Sequence, residues 1–122
     1  MNVNEWVGKS ESSNERIAAF PANAMAATLN HSGLIYKDGD PLPHLWHWLY
    51  FLQVFNLEDK GYDGHPKLGG FLPPLELPRR MWAGSRLKFL APMNIGAQLN
   101  KTSTIKAVTQ KTGRSGALAF VT

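Results

Sequence analysis

The stretch Pro43-His44-Leu45-Trp46-His47-Trp48-Leu49-Tyr50-Phe51-Leu52-Gln53-Val54-Phe55 is dense in aromatic and aliphatic residues. Four of its apolar positions recur at i, i+3, i+4 and i+7, which is the spacing of one helical face: Leu45, Trp48, Leu49 and Leu52. Other apolar side chains fall off that face, and a helix that is apolar on most sides is a buried one. At 1.5 Å per residue it is about 20 Å long, too short to cross a bilayer. We therefore predict a central buried helix over residues 43–55 with a curved sheet wrapped around it.

Local signals predict the other elements, and helices come before strands. The alanine-rich run after Phe20 has helical propensity, and the cap formers of residues 10–14 indicate the start of a helical turn. Later segments alternate apolar and polar residues or carry β-branched side chains, which favours strands. The predicted helical segments are 15–20 and 21–29, and the predicted strands are 85–90, 98–108 and 117–122. This order gives an α+β layout with antiparallel strands in one domain, residues 1–122.

Two features of this layout are unusual. The connection over residues 57–74 is rich in glycine and proline, and a loop of that length is often functional. The β-rich run at residues 117–122 leaves an unpaired strand edge, and three short strands are few for wrapping so apolar a helix. We expect either that another chain completes the sheet or that the sequence is a piece of a longer protein.

Composition limits the classes of function. The chain has 122 residues and lacks cysteine, which excludes disulfides, a thiol nucleophile and cysteine-based zinc sites. A net charge of +4 fits either ordinary solubility or an anionic partner such as a phosphate-bearing ligand or nucleic acid. The N-terminal residues contain no apolar run of the signal-peptide type, so we expect a cytoplasmic protein, or a mitochondrial matrix protein in a eukaryote.

Several motifs resemble a known family. They are Gly39-Asp40-Pro41-Leu42-Pro43, Leu45-Trp46-His47-Trp48, Asp63-Gly64-His65-Pro66, Gly69-Gly70-Phe71-Leu72-Pro73-Pro74, Leu77-Pro78-Arg79-Arg80-Met81-Trp82-Ala83-Gly84 and Lys111-Thr112-Gly113-Arg114-Ser115-Gly116. Together they resemble the N-terminal repeat of two-repeat MaoC-like dehydratases, in the branch of mesaconyl-CoA hydratases, itaconyl-CoA hydratases and 3-hydroxyacyl-thioester dehydratases. The resemblance implies a hot-dog fold, in which an antiparallel sheet wraps a central helix, here incomplete at its C-terminus.

The resemblance also implies where the chemistry lies. In such proteins a second repeat carries the hydration motif Asp-x-Asn-Pro-x-His, whose Asp and His act on the water that adds to an enoyl thioester. In this chain Asp40 and Pro43 match that motif, but Leu42 replaces the Asn and Leu45 replaces the His. His44 is one residue away, about 100° around a helix. The resemblance therefore implies a non-catalytic half that shapes an acyl tunnel, with no cofactor apart from the coenzyme A of the substrate.

Three residues remain weak catalytic candidates. Asp40 is either a relic base or the cap of the helix that Pro43 begins. His44 and His47 are spaced i, i+3, which can place two ligands on one metal, but no third ligand is evident, so packing roles are favoured and no metal is expected.

The substrate-binding candidates lie in the second half of the chain and are His65, Phe71, Arg79, Arg80, Trp82 and Arg86. The arginines, with Lys88, form a basic cluster that either is solvated or contacts the phosphates of coenzyme A or of a carrier-protein phosphopantetheine. Trp82 fits either adenine stacking or a core, and the turn containing His65 fits either a pocket mouth or a simple turn.

Partner and function alternatives follow from these candidates. The expected partners are an acyl-CoA or acyl-carrier thioester and a second hot-dog repeat or subunit, without a membrane. Nucleic acid is a weaker alternative, because no binding motif accompanies the charge. The alternative function is an acyl-CoA-binding or partner-subunit module without catalysis.

Overall fold

The computed structural model describes residues 2–122 and has an α+β architecture with antiparallel strands, as predicted. Its one α-helix in the described residues is α1, Ala19–Thr28, and its strands are β1 (Ser10–Arg16), β2 (Gln98–Thr104), β3 (Val108–Gly113) and β4 (Gly116–Val121). Short 3-10 turns lie at Val3–Trp6, Trp46–Leu49 and Leu57–Asp59. β1 pairs with β2, and β3 pairs with β4. No helix within residues 2–122 is long and apolar enough to cross a membrane.

The chain divides into two compact units. The first comprises the described residues up to Ser12, Val54–Gly84 and Thr102–Thr122; the second comprises Ser13–Gln53 and Ser85–Lys101.

In the first unit, the hairpin of β3 and β4 runs in register from Val108 opposite Val121 to Gly113 opposite Gly116. Arg114 and Ser115 form the two-residue turn. The predicted strand over 98–108 is interrupted: β2 ends at Thr104 and β3 begins at Val108. The hairpin places a small apolar face, which includes Ala119 and Val121, beside the long loop of residues 57–74.

The cap formers of residues 10–14 predict a helical turn over residues 15–20, but residues 10–16 form strand β1 and the helix begins only at Ala19. In the first unit the hydroxyl of Ser10 lies 2.9 Å from that of Thr104, and the hydroxyl of Ser12 lies 2.9 Å from that of Thr102. The same small polar side chains that cap helices therefore pair across strands here, since cross-strand hydroxyl pairs stabilise a sheet. The capping interpretation fails because the partners are about 90 residues away and leave no local signal.

The second unit is organised around α1. Alanine-rich composition favours the helix, and Pro21 lies in its first turn, where a backbone N–H has no partner in the helix. The helix ends in a Schellman motif: the N–H of His31 donates to the carbonyl of Ala26 at 2.9 Å and that of Asn30 to Ala27 at 3.0 Å. Asn30 takes the left-handed conformation, φ 59°, that this cap requires. The helix predicted over 21–29 is confirmed, two residues longer at its start.

A small core lies against this helix. Its buried members are Ile17, Ala22, Leu42, Tyr50 and Ile95. Ile17 is joined to the segment opposite by two backbone hydrogen bonds: its N–H donates to the carbonyl of Ala97 at 2.9 Å, and its own carbonyl accepts from Gly96 at 2.7 Å.

The central helix predicted over residues 43–55 is wrong. The stretch contains one 3-10 turn, Trp46–Leu49, bounded by left-handed residues at Leu45, φ 74°, and Phe51, φ 56°. Proline disfavours helical conformation in the residue before it, which here restricts Asp40 and Leu42 but does not account for the loss of the helix after Pro43. Residues 40–42 instead form an antiparallel bridge with residues 93–95.

The burial predicted for that stretch is wrong as well. Tyr50 is 5% exposed, but Leu52 is 71% exposed and Val54 94% exposed. Aromatic and β-branched residues are also poor helix formers, so apolar content without helical propensity gives an irregular segment here. The predicted strand over 85–90 has no strand pairing in the described chain. Leu87 and Phe89, the apolar members of its alternation, are both exposed, at 42% and 39%.

Candidate functional site

A tight turn in the long loop of the first unit holds a carboxylate in place. Lys60 and Pro66 form an antiparallel bridge, and the N–H of Gly61 donates to the carbonyl of His65 at 2.6 Å. At the tip, Oδ1 of Asp63 accepts the N–H of His65 at 3.0 Å, an Asx turn. The turn chemistry expected of the Asp63-Gly64-His65-Pro66 motif is thus present, and it leaves Oδ2 of Asp63 available to a second partner.

A cavity of about 430 Å³ opens beside this turn, wholly within the first unit. Its lining is apolar along the loop and the last strand and polar along the turn and the arginine segment. It consists of Gly61, Tyr62, Asp63, Pro66, Lys67, Leu68, Leu72, Pro73, Leu75, Leu77, Arg79, Arg80, Met81, Ala119 and Val121. Ligand pockets are typically of this size, with an apolar lining and a few polar groups. This cavity is the candidate binding site.

The charged groups of the cavity are unevenly paired. Nε of Arg80 lies 3.5 Å from Oδ2 of Asp63, an ion pair in which the two side chains are 32% and 25% exposed. Among the described residues, no carboxylate lies within 4.0 Å of the cationic groups of Lys67 or Arg79. The hydroxyl of Tyr62 donates to the carbonyl of Pro78, which ties the turn to the arginine segment. Three cations and one carboxylate therefore line the cavity, leaving an excess of two positive charges.

A second cavity of about 470 Å³ lies in the same unit, on the other part of the hairpin. Glu76 and Lys111 are the charged side chains among its lining residues. It contains none of the residues that the sequence predicts as a site, so we take the first cavity as the functional candidate.

The histidines of the second unit are packed against aromatic rings. The ring of His44 stacks in parallel on Phe89 at a centroid distance of 3.9 Å, and His47 meets the same ring edge-on at 6.5 Å. Within residues 2–122 no group of three potential ligands is placed to hold a metal ion. Both histidine rings therefore pack against Phe89.

Asp40 does not cap a helix, contrary to the prediction, because no helix follows it. Its Oδ2 accepts the N–H of Lys37 at 2.9 Å, and its Oδ1 lies 3.6 Å from the ammonium of the same residue. The backbone N–H of Asp40 in turn donates to the carbonyl of Lys37 at 3.0 Å. The carboxylate thus closes a four-residue turn, and both of its oxygens have a partner.

Tyr50 is a buried ionisable group that sequence reasoning missed. Its hydroxyl donates to the carbonyl of Ala18 at 2.6 Å. Burial raises the pKa of Tyr50, because the phenolate is poorly solvated there. A backbone hydrogen bond from Ala22 lowers this pKa in part, and the negative charge of nearby Glu15 raises it. Glu15 accepts the N–H of Phe51 at 3.0 Å. These contacts fix the end of the 3-10 turn and serve the fold.

The structure brings together only part of the predicted substrate-binding set. Arg79 and Arg80 line the cavity, whereas His65 and Phe71 lie in the same loop but not among the lining residues, and Trp82 is 75% exposed. Arg86 belongs to the other unit. Sequence reasoning missed Lys67 and Tyr62 as lining residues. The signal that could have found them is the length of the glycine- and proline-rich loop that contains both.

Comparison with known proteins agrees with the resemblance in the motifs. Residues 45–121 match the family model for hydroxyacyl-thioester dehydratase type 2. The chain is also 45% identical over 117 residues to the mesaconyl-C(4)-CoA hydratase of Chloroflexus aurantiacus, an alignment that covers 96% of this chain and 42% of that protein. The chain therefore spans less than half the length of this relative. The predicted hot-dog class is confirmed by the family match, and the chain belongs to the hydroxyacyl-thioester dehydratase type 2 family.

Proposed function

We propose that this chain is the non-catalytic half of an enoyl-thioester hydratase or 3-hydroxyacyl-thioester dehydratase that acts on CoA-linked substrates. The proposal gives it the role of shaping the acyl pocket, while a second repeat supplies the Asp and His. Family membership and the identity to a mesaconyl-C(4)-CoA hydratase support the reaction class. Adding water across a conjugated double bond breaks the C=C π bond, forms a C–O bond at the β-carbon and places a proton on the α-carbon, with no net oxidation or reduction. The proposal therefore needs no cofactor beyond the coenzyme A of the substrate.

The non-catalytic assignment rests on the lack of an acid–base pair at the motif position. Hydration requires a base and an acid within hydrogen-bond reach of the reacting carbons. Asp40 is engaged in the turn with Lys37, and His44 lies flat against Phe89. The position that matches the motif histidine is Leu45. No acid–base pair is therefore available at the place where the motif would supply one.

Exposed apolar side chains support a second repeat or subunit as the partner. Several large ones are more than 70% exposed in the isolated chain: Phe20, Ile35, Leu52, Val54, Leu57, Tyr62, Met81, Trp82 and Leu90. Extensive apolar exposure is typical of surfaces that another chain or domain covers.

Turnover of a conjugated enoyl-CoA tests the proposal, measured as loss of its thioester absorbance. We expect no turnover by the 122-residue chain and turnover when it is joined to a second repeat. Removal of a general acid or base lowers rates about 10²–10⁴-fold. We therefore expect Asp40→Asn to change the rate of the joined protein by less than about threefold. Robust turnover by the chain alone, or a hundredfold loss in that variant, contradicts the non-catalytic assignment.

The second candidate function is an acyl-CoA-binding module without catalysis. It is favoured by a cavity that is rich in cations and apolar groups but holds no histidine. Tight acyl-CoA binding without turnover, even beside a second repeat, supports this alternative over the first.

A further inference from the structure

The cavity of the first unit has two chemically different parts. Its apolar part is formed mainly by two leucines of the loop, Leu68 and Leu72, and by two that follow it, Leu75 and Leu77, together with Val121 of β4. Its polar part is formed by the turn and by the segment that follows Pro78. A volume of about 430 Å³ suits a small organic group, because pockets for such ligands begin at about 300 Å³. The cavity therefore fits a ligand with an apolar body and a polar end.

The charged side chains of the cavity indicate which charge the polar end of the ligand has. Arg80 is paired with Asp63, whose other oxygen is held by the turn, so this arginine is largely neutralised and fixed in place. Arg79 and Lys67 face the cavity with no carboxylate within ion-pair distance among the described residues. Two unpaired cations beside an apolar surface favour a carboxylate or a phosphate and disfavour a cationic ligand.

We propose that this cavity recognises an anionic group of the thioester ligand, with Arg79 as its principal partner and Lys67 as the second cation. A guanidinium suits this task because its planar donors can pair with two oxygens at once. The anion has two chemical sources, a free carboxylate on the acyl group or a phosphate of coenzyme A. The inference rests on the proposed function, since it assumes that the ligand is a CoA thioester.

Isothermal titration of the protein with three probes tests the inference: succinyl-CoA, butyryl-CoA and free coenzyme A. The two acyl groups have the same number of carbons and differ in the terminal carboxylate. The variants are Arg79→Gln and Lys67→Gln, and Arg114→Gln is the matched control because it removes the same charge from the exposed turn of the hairpin. Among the described residues, neither Arg79 nor Lys67 has an ion-pair partner, so both variants are expected to fold, which circular dichroism checks.

We expect Arg79→Gln to weaken binding about tenfold, which is the usual loss for one hydrogen-bonded charge pair, and Lys67→Gln to weaken it less. A loss confined to succinyl-CoA assigns the anion to the acyl group; an equal loss for all three probes assigns it to the phosphates. Both outcomes support the inference. If both variants bind all three probes as tightly as the Arg114→Gln control, the inference is overturned and the proposed function stands. If the unmodified protein binds none of the probes, the inference is overturned, and the proposed function is then judged by the turnover of the protein joined to a second repeat.

Discussion

Gly96→Ala is expected to destabilise the second unit, because Gly96 is constrained in two ways. Its φ of +89° lies in the region that an alanine adopts only under strain. A Cβ built on it would also lie 2.9 Å from Cγ of Asp38, closer than real contacts allow. The backbone has little freedom to relax, since the N–H of Gly96 donates to the carbonyl of Ile17, a core residue, at 2.7 Å.

The magnitude follows from these two constraints. The left-handed conformation costs an alanine about 1–2 kcal/mol. Asp38 must also move, which weakens its 2.9 Å ion pair with Arg16. That pair is more than half exposed, so its loss adds only about 0–1 kcal/mol. We expect Gly96→Ala to lower the free energy of unfolding by about 1–3 kcal/mol, equivalent to a Tm lower by about 4–12 °C in a chain of this size.

Urea denaturation followed by tryptophan fluorescence measures the effect, with a lower midpoint and an unchanged m-value expected. Gly33→Ala is the matched control: Gly33 also has a positive φ, +75°, but no atom lies within 4 Å of its Cβ position. It should show the backbone cost alone. Adding Asp38→Ala to Gly96→Ala should recover part of the loss. A Gly96→Ala protein as stable as the unmodified one, or no coupling between positions 96 and 38, refutes the reasoning.

Three further predictions concern other contacts. Tyr50→Phe should lower the free energy of unfolding by about 1 kcal/mol at neutral pH. Because the folded pKa of Tyr50 is raised, the contribution of this tyrosine to stability is complete below pH 10 and is lost as the pH rises above that. The stability of the Tyr50→Phe variant, measured as a function of pH, should lack this alkaline loss. Lys9→Met, which removes the ammonium from the ring of Trp6 and from the carbonyl of Gly70, should speed proteolysis of the 57–74 loop relative to Lys101→Met. Leu42→Asn should lower the free energy of unfolding, measured in thermal melts, by about 2–4 kcal/mol. Leu42 is 5% exposed, and the variant replaces its apolar packing with a buried amide. Unchanged stability contradicts the burial of Leu42.

The elements predicted from the sequence are those whose causes are local. Helix α1 follows from a run of alanines, and its C-terminal cap places Asn30, a residue type that tolerates positive φ, in the left-handed conformation. The β3–β4 hairpin follows from short β-rich runs on either side of a turn. In both cases the hydrogen-bonded partners are close in sequence, at most 13 residues apart in the hairpin (Val108 opposite Val121), so composition and spacing contain the needed information.

The failures have causes that lie far away in the chain or in unusual backbone angles. Strand β1 depends on hydroxyl partners about 90 residues away, such as Thr104 opposite Ser10. The stretch 43–55 departs from a helix at Leu45 and Phe51, two residue types that rarely take positive φ. No periodicity reveals such a conformation in advance. The available warning was the low helix propensity of its aromatic residues, which the hydrophobic pattern outweighed.

The candidate site shows the same division between local and distant causes. Arg79, Arg80 and Arg86 form one cluster in sequence, yet only the first two line the cavity. Lys67 lines the same cavity because the Lys60–Pro66 bridge folds the loop back on itself. No local sequence signal predicts this bridge. Charge density along the chain thus located the region, and the fold of the loop decided its members.

The partial match to the hydration motif has a physical explanation in this structure. The two matching residues, Asp40 and Pro43, both act on the backbone: the carboxylate closes a turn with Lys37, and the proline restricts the residue before it. The two mismatched positions would need polar side chains for chemistry, and here one is a core leucine, Leu42, while the other, Leu45, starts the 3-10 turn. Because Asp40 and Pro43 both have structural roles in shaping the backbone, their presence does not indicate catalysis. A histidine introduced at position 45 would therefore lack an available carboxylate partner at Asp40, and Leu45→His should not give the isolated chain hydratase activity.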